Sequence, residues 1–168
     1  MNFWRMKMYP DGDTEWGEKH VPWILENKGF IGMGKWNTSQ RQNDSFVKEM
    51  ETGDIVAVMI YDRLLALVQV TAPAIELDSK RIDYPEGYGY RVVGESEQLA
   101  WLVYRRPVRV LDWNIRKVPS DGNTIEAGLS ATLVRCSDLN APSNKVIVDW
   151  FNDVRDSFEK RGIAGLLD

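Results

Sequence analysis

Two residue types that carry much of enzymatic chemistry are nearly missing from this sequence. Its 168 residues include one cysteine, Cys136, and one histidine, His20. A lone cysteine excludes an internal disulfide framework and any multi-cysteine zinc site. A lone histidine, set between Lys19 and Val21 in a segment of helical pattern, argues against a histidine-based metal centre or a Ser-His-Asp triad, and it reads as a surface or cap residue. Neither a metal nor a cofactor is expected. No apolar run approaches the roughly 20 residues of a membrane span. The opening Met1-Asn2-Phe3-Trp4-Arg5-Met6-Lys7 lacks the apolar centre of a secretory signal. The expectation is a cytoplasmic protein with no membrane partner.

An excess of positive charge is also missing. The formal net charge is −4, which argues against indiscriminate binding to nucleic acid. The charge is uneven, however. Residues 99–118 hold Arg105, Arg106, Arg109, Arg116 and Lys117 against Asp112 alone, a local +4 that leaves −8 on the rest of the chain. Such a stripe suits a specific anionic ligand; it equally fits a strand edge blunted by charge against aggregation.

What is present is an ordinary globular composition, 43% hydrophobic and 27% charged, in a length that suits one domain with a proper core. Asn2 to Met8 reads as a first strand and Tyr9 to Asp13 as a turn. Asp13 or Thr14 can cap a helix carrying Trp16, His20, Trp23 and Ile24, kinked or restarted at Pro22 and closed by Gly29. Phe30 to Trp36 reads as a short strand whose Gly32 and Gly34 permit close approach of another backbone or a ligand. Asn43 to Glu51 is a short helix. Ile55 to Tyr61 and Leu64 to Thr71 form a hairpin, apolar enough to be covered on both faces. Leu99 to Tyr104 and Val108 to Trp113 read as separate strands, and Ile125 to Cys136 stays ambiguous between strand and helix. A final helix, capped by Ser143 or Asn144, presents Ile147, Trp150, Phe151, Val154 and Phe158. Hairpin-rich strands with helices outside them predict an α+β fold: a curved, mainly antiparallel sheet or small β-barrel with a C-terminal helix.

Trp16, Trp23, Trp113 and Trp150 lie in regular apolar patterns and read as core. Trp36 does not. It sits in Gly34-Lys35-Trp36-Asn37-Thr38, a polar, glycine-rich frame that favours a ligand-facing ring. Tyr84, Tyr88 and Tyr90 alternate with glycine, as in many binding loops.

These pieces together resemble the PUA-like superfamily, and within it the YTH and EVE domains. Lys7-Met8 resembles the end of their first strand, and Gly34-Lys35-Trp36-Asn37-Thr38 looks like their Gly-Val-Trp-x-Thr frame. Residues 54–58 and 66–70 resemble their central hairpin. Val108 to Trp113, followed by Lys117-Val118-Pro119, is similar to their Phe-Lys-Val-x-Trp strand. The chain departs from the pattern at Leu67 and Val68, where a glycine is usual, and in lacking the loop tryptophans that complete the cage. Tyr104 to Leu111 further resembles the basic strand of N-terminal specificity domains in McrB-type restriction proteins. The resemblance implies a PUA-like domain over residues 1–161, with 162–168 a tail or linker. It implies recognition of a modified, in the first instance methylated, base, with DNA favoured over RNA, and a downstream AAA+ motor and nuclease as partners.

A methyl group inside a duplex can be inspected from all sides only if its base leaves the stack. The base then needs an aromatic face, for which Trp36, Tyr88, Tyr90 and Trp101 are the candidates. It needs polar groups for its pairing edge, for which Asp11, Asp13, Asn37, Thr38 and the backbone near Met8 are the candidates. Lys35, Arg105, Arg106 and Arg109 would hold flanking phosphates, which position a strand without reading it. A binding module with no catalytic residue of its own is expected. Rival readings are a modified-RNA reader, a small hydrolase pairing Lys7 or Lys35 with Asp13 or Glu15, and a protein-interaction module.

Overall fold

The computed structural model describes residues 1–10, 12–35, 40–82, 89–114 and 131–162. In chain order the elements are β1 (Phe3–Lys7), α1 (Thr14–Asn27), β2 (Phe30–Met33), α2 (Gln40–Asp44) with a π-helical turn at Ser45–Glu49, β3 (Ile55–Ile60), β4 (Arg63–Val70), β5 (Ile75–Glu76), β6 (Ser79–Arg81), β7 (Tyr90–Val92), α3 (Glu97–Ala100), β8 (Tyr104–Trp113), β9 (Leu133–Arg135) and α4 (Pro142–Lys160). The result is an α+β fold around a curled mixed sheet that forms a half-barrel. Its strand order is β2-β8-β4-β3-β1-β9, with β5 also on β8, and β6 with β7 makes a separate ribbon. All pairings are antiparallel except β1 with β3.

Strand alternation divides the core in two. Trp4 and Met6 of β1 and Val56, Val58 and Ile60 of β3 face α1, where Val21, Ile24 and Leu25 meet them. Phe3, Ile55, Ala57 and Met59 face the other way, onto Ile147, Phe151 and Val154 of α4. The hairpin β3–β4 is therefore covered on both faces, as its unbroken apolar run predicts. Asp54 anchors one end of the sheet. Its buried carboxylate accepts the Asn2 N–H (2.7 Å), the Trp4 indole N–H (2.8 Å) and the Glu51 N–H (3.0 Å). This explains why glycine-aspartate precedes the strand: Gly53 takes a positive φ of 94° to bring that carboxylate inward.

Several boundaries differ from the sequence reading. The helix α1 runs through Pro22 without restarting, and Trp23 is 47% exposed instead of core, on the face away from Val21 and Ile24. Residues 104–113 form one strand, not two. Pro107 lies one residue before the first β4 pair, Val108 with Val70, at a change of partner where a missing N–H is tolerated. Leu99 belongs to α3, not to a strand. The hairpin turn is Tyr61-Asp62, since Ile60 pairs with Arg63. Neither Ser143 nor Asn144 caps α4; Ala141 does, with Pro142 pre-set for the first turn. Among the described residues no helix is long and apolar enough to cross a membrane.

Candidate functional site

The half-barrel curls until its edge strand β2 reaches the end of β1. There the Gly32 N–H donates to the Met8 thioether at 3.3 Å. A Cβ on Gly32 would stand 2.9 Å from the Tyr104 carbonyl oxygen and 3.3 Å from Leu102. The glycine that sequence reasoning singled out thus serves close approach of another backbone. Met8 is a core residue, and its side chain is fully buried. The expectation at this position concerned the backbone near Met8, and the burial of the side chain does not bear on it.

Beside this seam stands a group of half-buried aromatic rings. Trp101, which adjoins Leu102, meets Trp16 edge-on, with ring centroids 5.2 Å apart and planes at 73°. Trp16 in turn lies 5.0 Å from the His20 ring. Asp13 is the N-cap of α1, its carboxylate accepting the Trp16 N–H at 2.9 Å. One expected site residue therefore orients the helix that carries the ring packed against another. His20, expected as a surface or cap residue, is half-buried against that ring.

At the exit of β2 the arrangement changes. Lys35 pairs with Glu76 of β5 at 2.5 Å and lies 4.8 Å from the centroid of the Tyr90 ring. The Glu76 carboxylate holds the Lys35 ammonium above the usual lysine range, against the opposing effect of burial. Tyr104, close by, has its phenol raised by burial first and by Glu76 second. Glu76 was not among the expected residues; nothing in its sequence neighbourhood distinguishes it from a solvated strand charge, and only the pairing of β5 with β8 brings it to Lys35.

The arginines of β8 do not form a phosphate-facing stripe. Arg105 donates to the carbonyls of Leu102 (3.0 Å) and Leu99 (3.1 Å) and pairs with Glu95 at 2.9 Å, so it clasps the end of α3. Glu95 is held below the usual carboxylate range: burial alone would raise it, and the Ser96 N–H and Arg105 outweigh that. Arg106 is 2% exposed and donates to the carbonyls of Phe46 (2.7 Å), Val47 (3.3 Å) and Ala72 (3.3 Å). Arg109 donates to Gln69 Oε1 at 2.8 Å, and Gln69 donates to the Gly53 carbonyl at 3.3 Å. Their guanidiniums serve the chain's own oxygens because β8 is an interior strand, bonded to β2 and β5 over its first residues and to β4 over the rest. Charge counted along a sequence does not distinguish an edge strand from an interior one.

Asp11, Trp36, Asn37, Thr38, Tyr84 and Tyr88 lie outside the described residues, as do Arg116 and Lys117. Of the candidates that are described, Met8, Asp13 and Trp101 belong to the seam, Lys35 and Tyr90 to the exit of β2, and Arg105, Arg106 and Arg109 to the framework. The Lys7 ammonium lies 6.0 Å from the Tyr61 ring centroid. Lys35 is held by Glu76. Among the described residues no group of three or more His, Cys, Asp or Glu is placed to hold a metal ion. No protein-family model matches the chain, and no curated protein matches it.

Proposed function

We propose that this chain is a PUA-like nucleic-acid-binding module that selects a modified base, methylated in the simplest case and in DNA rather than RNA, by holding it against aromatic rings after extrusion. One observation carries the reading: half-buried Trp101 and Tyr90 stand at the seam and exit of β2, the strand that leads through Gly34 and Lys35 to Trp36. Half-buried rings along a glycine-containing strand offer stacking faces, worth about 1–3 kcal/mol per base. The module reads and does not cut; the chemistry falls to the motor and nuclease of a restriction system. Lys35, beside Tyr90, is the candidate that remains for a flanking phosphate.

The test is a panel of oligonucleotides, each with one modified base, in single and double strands of DNA and RNA. The expected result is preference for one modification; equal affinity for modified and unmodified strands sinks the reading. With the preferred oligonucleotide in hand, Trp36→Ala is expected to abolish discrimination in a protein that stays folded. A large fall in melting temperature would instead assign Trp36 to the core, and a folded variant with intact discrimination would remove it from the site.

A further inference from the structure

The tight turn between β3 and β4 holds a large ring in a backbone conformation that suits glycine. Ile60 pairs with Arg63, so Tyr61 and Asp62 are the two central residues of the hairpin. Tyr61 has φ 57°, in the left-handed region, and no other described non-glycine residue has a positive φ. Glycine, asparagine and aspartate take this conformation at little cost, whereas a bulky side chain does not. The fold gains little from the ring in return, since Tyr61 is 62% exposed. Two further features fix the turn. The Tyr61 N–H donates to the Tyr9 hydroxyl at 3.2 Å. On the returning strand, Leu65 stands as an extra residue opposite the step from Val58 to Met59, a bulge of the kind that re-aims a strand end. Tyr9 also joins the turn to the proposed site. A Cβ on Gly17 would stand 3.2 Å from Tyr9, and the preceding residue, Trp16, meets Trp101. Charge does not single this turn out, because Lys7 and Arg63 are matched there by Asp62 and Glu18. What the turn offers is a flat ring, held out in solvent against local backbone preference. Such outliers cluster where a side chain serves a ligand.

We infer that Tyr61 is a stacking face for an unpaired base of a bound nucleic-acid strand, a neighbour of the modified base and not the modified base itself. The inference rests on the nucleic-acid reading for its ligand, and it adds a second contact outside the proposed cage. Stacking on an exposed ring tolerates any base, because every base has a π-face. Tyr61 therefore positions the strand without selecting a modification, and the probe need not contain one.

The test is a titration of a short, labelled, single-stranded oligothymidylate at one low salt concentration, beside an abasic strand of equal length that keeps the sugars and phosphates. Tyr61→Asn is expected to weaken oligothymidylate binding roughly 5- to 150-fold, the equivalent of one stacked base. Its affinity for the abasic strand should match that of the wild type. The melting temperature should stay level or rise, because asparagine tolerates the left-handed backbone. Tyr61→Phe, which keeps the ring, should keep the wild-type affinity. Unchanged affinity in Tyr61→Asn overturns the inference and leaves the base-reading proposal standing. An equal loss on both strands overturns it as well, since the ring would then act on something other than a base. So does a loss accompanied by a fall in melting temperature, which would make the ring part of the fold. Failure of the wild-type protein to bind oligothymidylate overturns the inference together with the nucleic-acid reading. If the wild-type protein binds modified and unmodified strands equally while Tyr61→Asn loses affinity only where bases are present, the stacking face stands and the base-reading proposal falls.

Discussion

The two faces of the half-barrel are covered by helices of different character. The outer face receives α4, 19 residues long, which lays Ile147, Phe151 and Val154 onto Phe3, Ile55, Leu67 and Leu111. Phe151 meets Phe3 edge-on at 5.5 Å, and the Trp150 indole reaches Asp112 at 2.8 Å on the rim. The inner face receives α1, 14 residues long with Pro22 inside it and with Trp16 only half-buried against the core. Around it lie a glycine against a backbone oxygen, a thioether taking an N–H, and the aromatic rings of the proposed site. Both faces bury ample apolar surface. The outer one does so with a continuous helical stripe, the inner one with local close approaches that leave ring faces partly open. Substitutions on the outer face should therefore change stability alone, and those on the inner face both stability and binding.

The largest expected effect is on the outer face. Phe151→Ala should cost about 3–5 kcal/mol through reduced burial and the cavity left behind, seen as a lower denaturation midpoint. The modified-base preference of whatever protein remains folded should be unchanged; a changed preference would couple the two faces. Next comes the framework between them. Arg106→Met should cost about 2–3 kcal/mol, because several buried carbonyls lose charged donors. It should not change the salt dependence of oligonucleotide binding, whereas a phosphate-binding arginine would.

On the inner face, Gly32→Ala should cost about 1–3 kcal/mol by overpacking. The opposing atom is a backbone oxygen that cannot rotate away, so β2 must shift, and base discrimination should weaken with stability; full discrimination would show that the seam is not part of the site. Tyr61→Gly should act in the opposite direction. Tyr61 alone among the described non-glycine residues has a positive φ, 57°, and relieving it should stabilise by about 1 kcal/mol, a rise of about 2–4 °C in melting temperature. The smallest effect concerns the α3 clasp. Glu95 has a lowered pKa in the folded protein, so it contributes stability above its unfolded pKa that is lost as pH falls through the folded one. Glu95→Gln should remove that part of the acid-side loss, a difference of less than about 1 kcal/mol for a pair partly open to solvent, measurable by comparing denaturation at neutral and acid pH.

Much of the architecture was legible because it rests on periodicity. The hairpin β3–β4 announced two-sided burial by its apolar run, α4 announced its buried stripe by helical spacing, and Gly29 announced the end of α1. The site was less legible. Gly32 was recognised as a place of close approach, but the partner, the Tyr104 carbonyl, comes from a strand distant in sequence. Glu76 carried no local signal. Trp23 followed the helical pattern yet faces solvent, because a 14-residue helix packed on one side has room for one exposed large ring.

The clearest division between sequence and tertiary structure falls on charge. The sequence alone determined an α+β protein with too few cysteines and histidines for disulfide or histidine-metal chemistry, since composition sets which side chains exist at all. It also determined that positive charge concentrates in residues 99–118. Only the tertiary structure decided what that charge does. Arg105, Arg106 and Arg109 are enclosed by neighbouring strands and helices and donate to the chain's own oxygens, while Lys80 and Arg91, 11 positions apart, are brought opposite one another by strand pairing. The physical reason is that a charge acts through its distance to partners and its access to water, and both are set by which strands lie side by side.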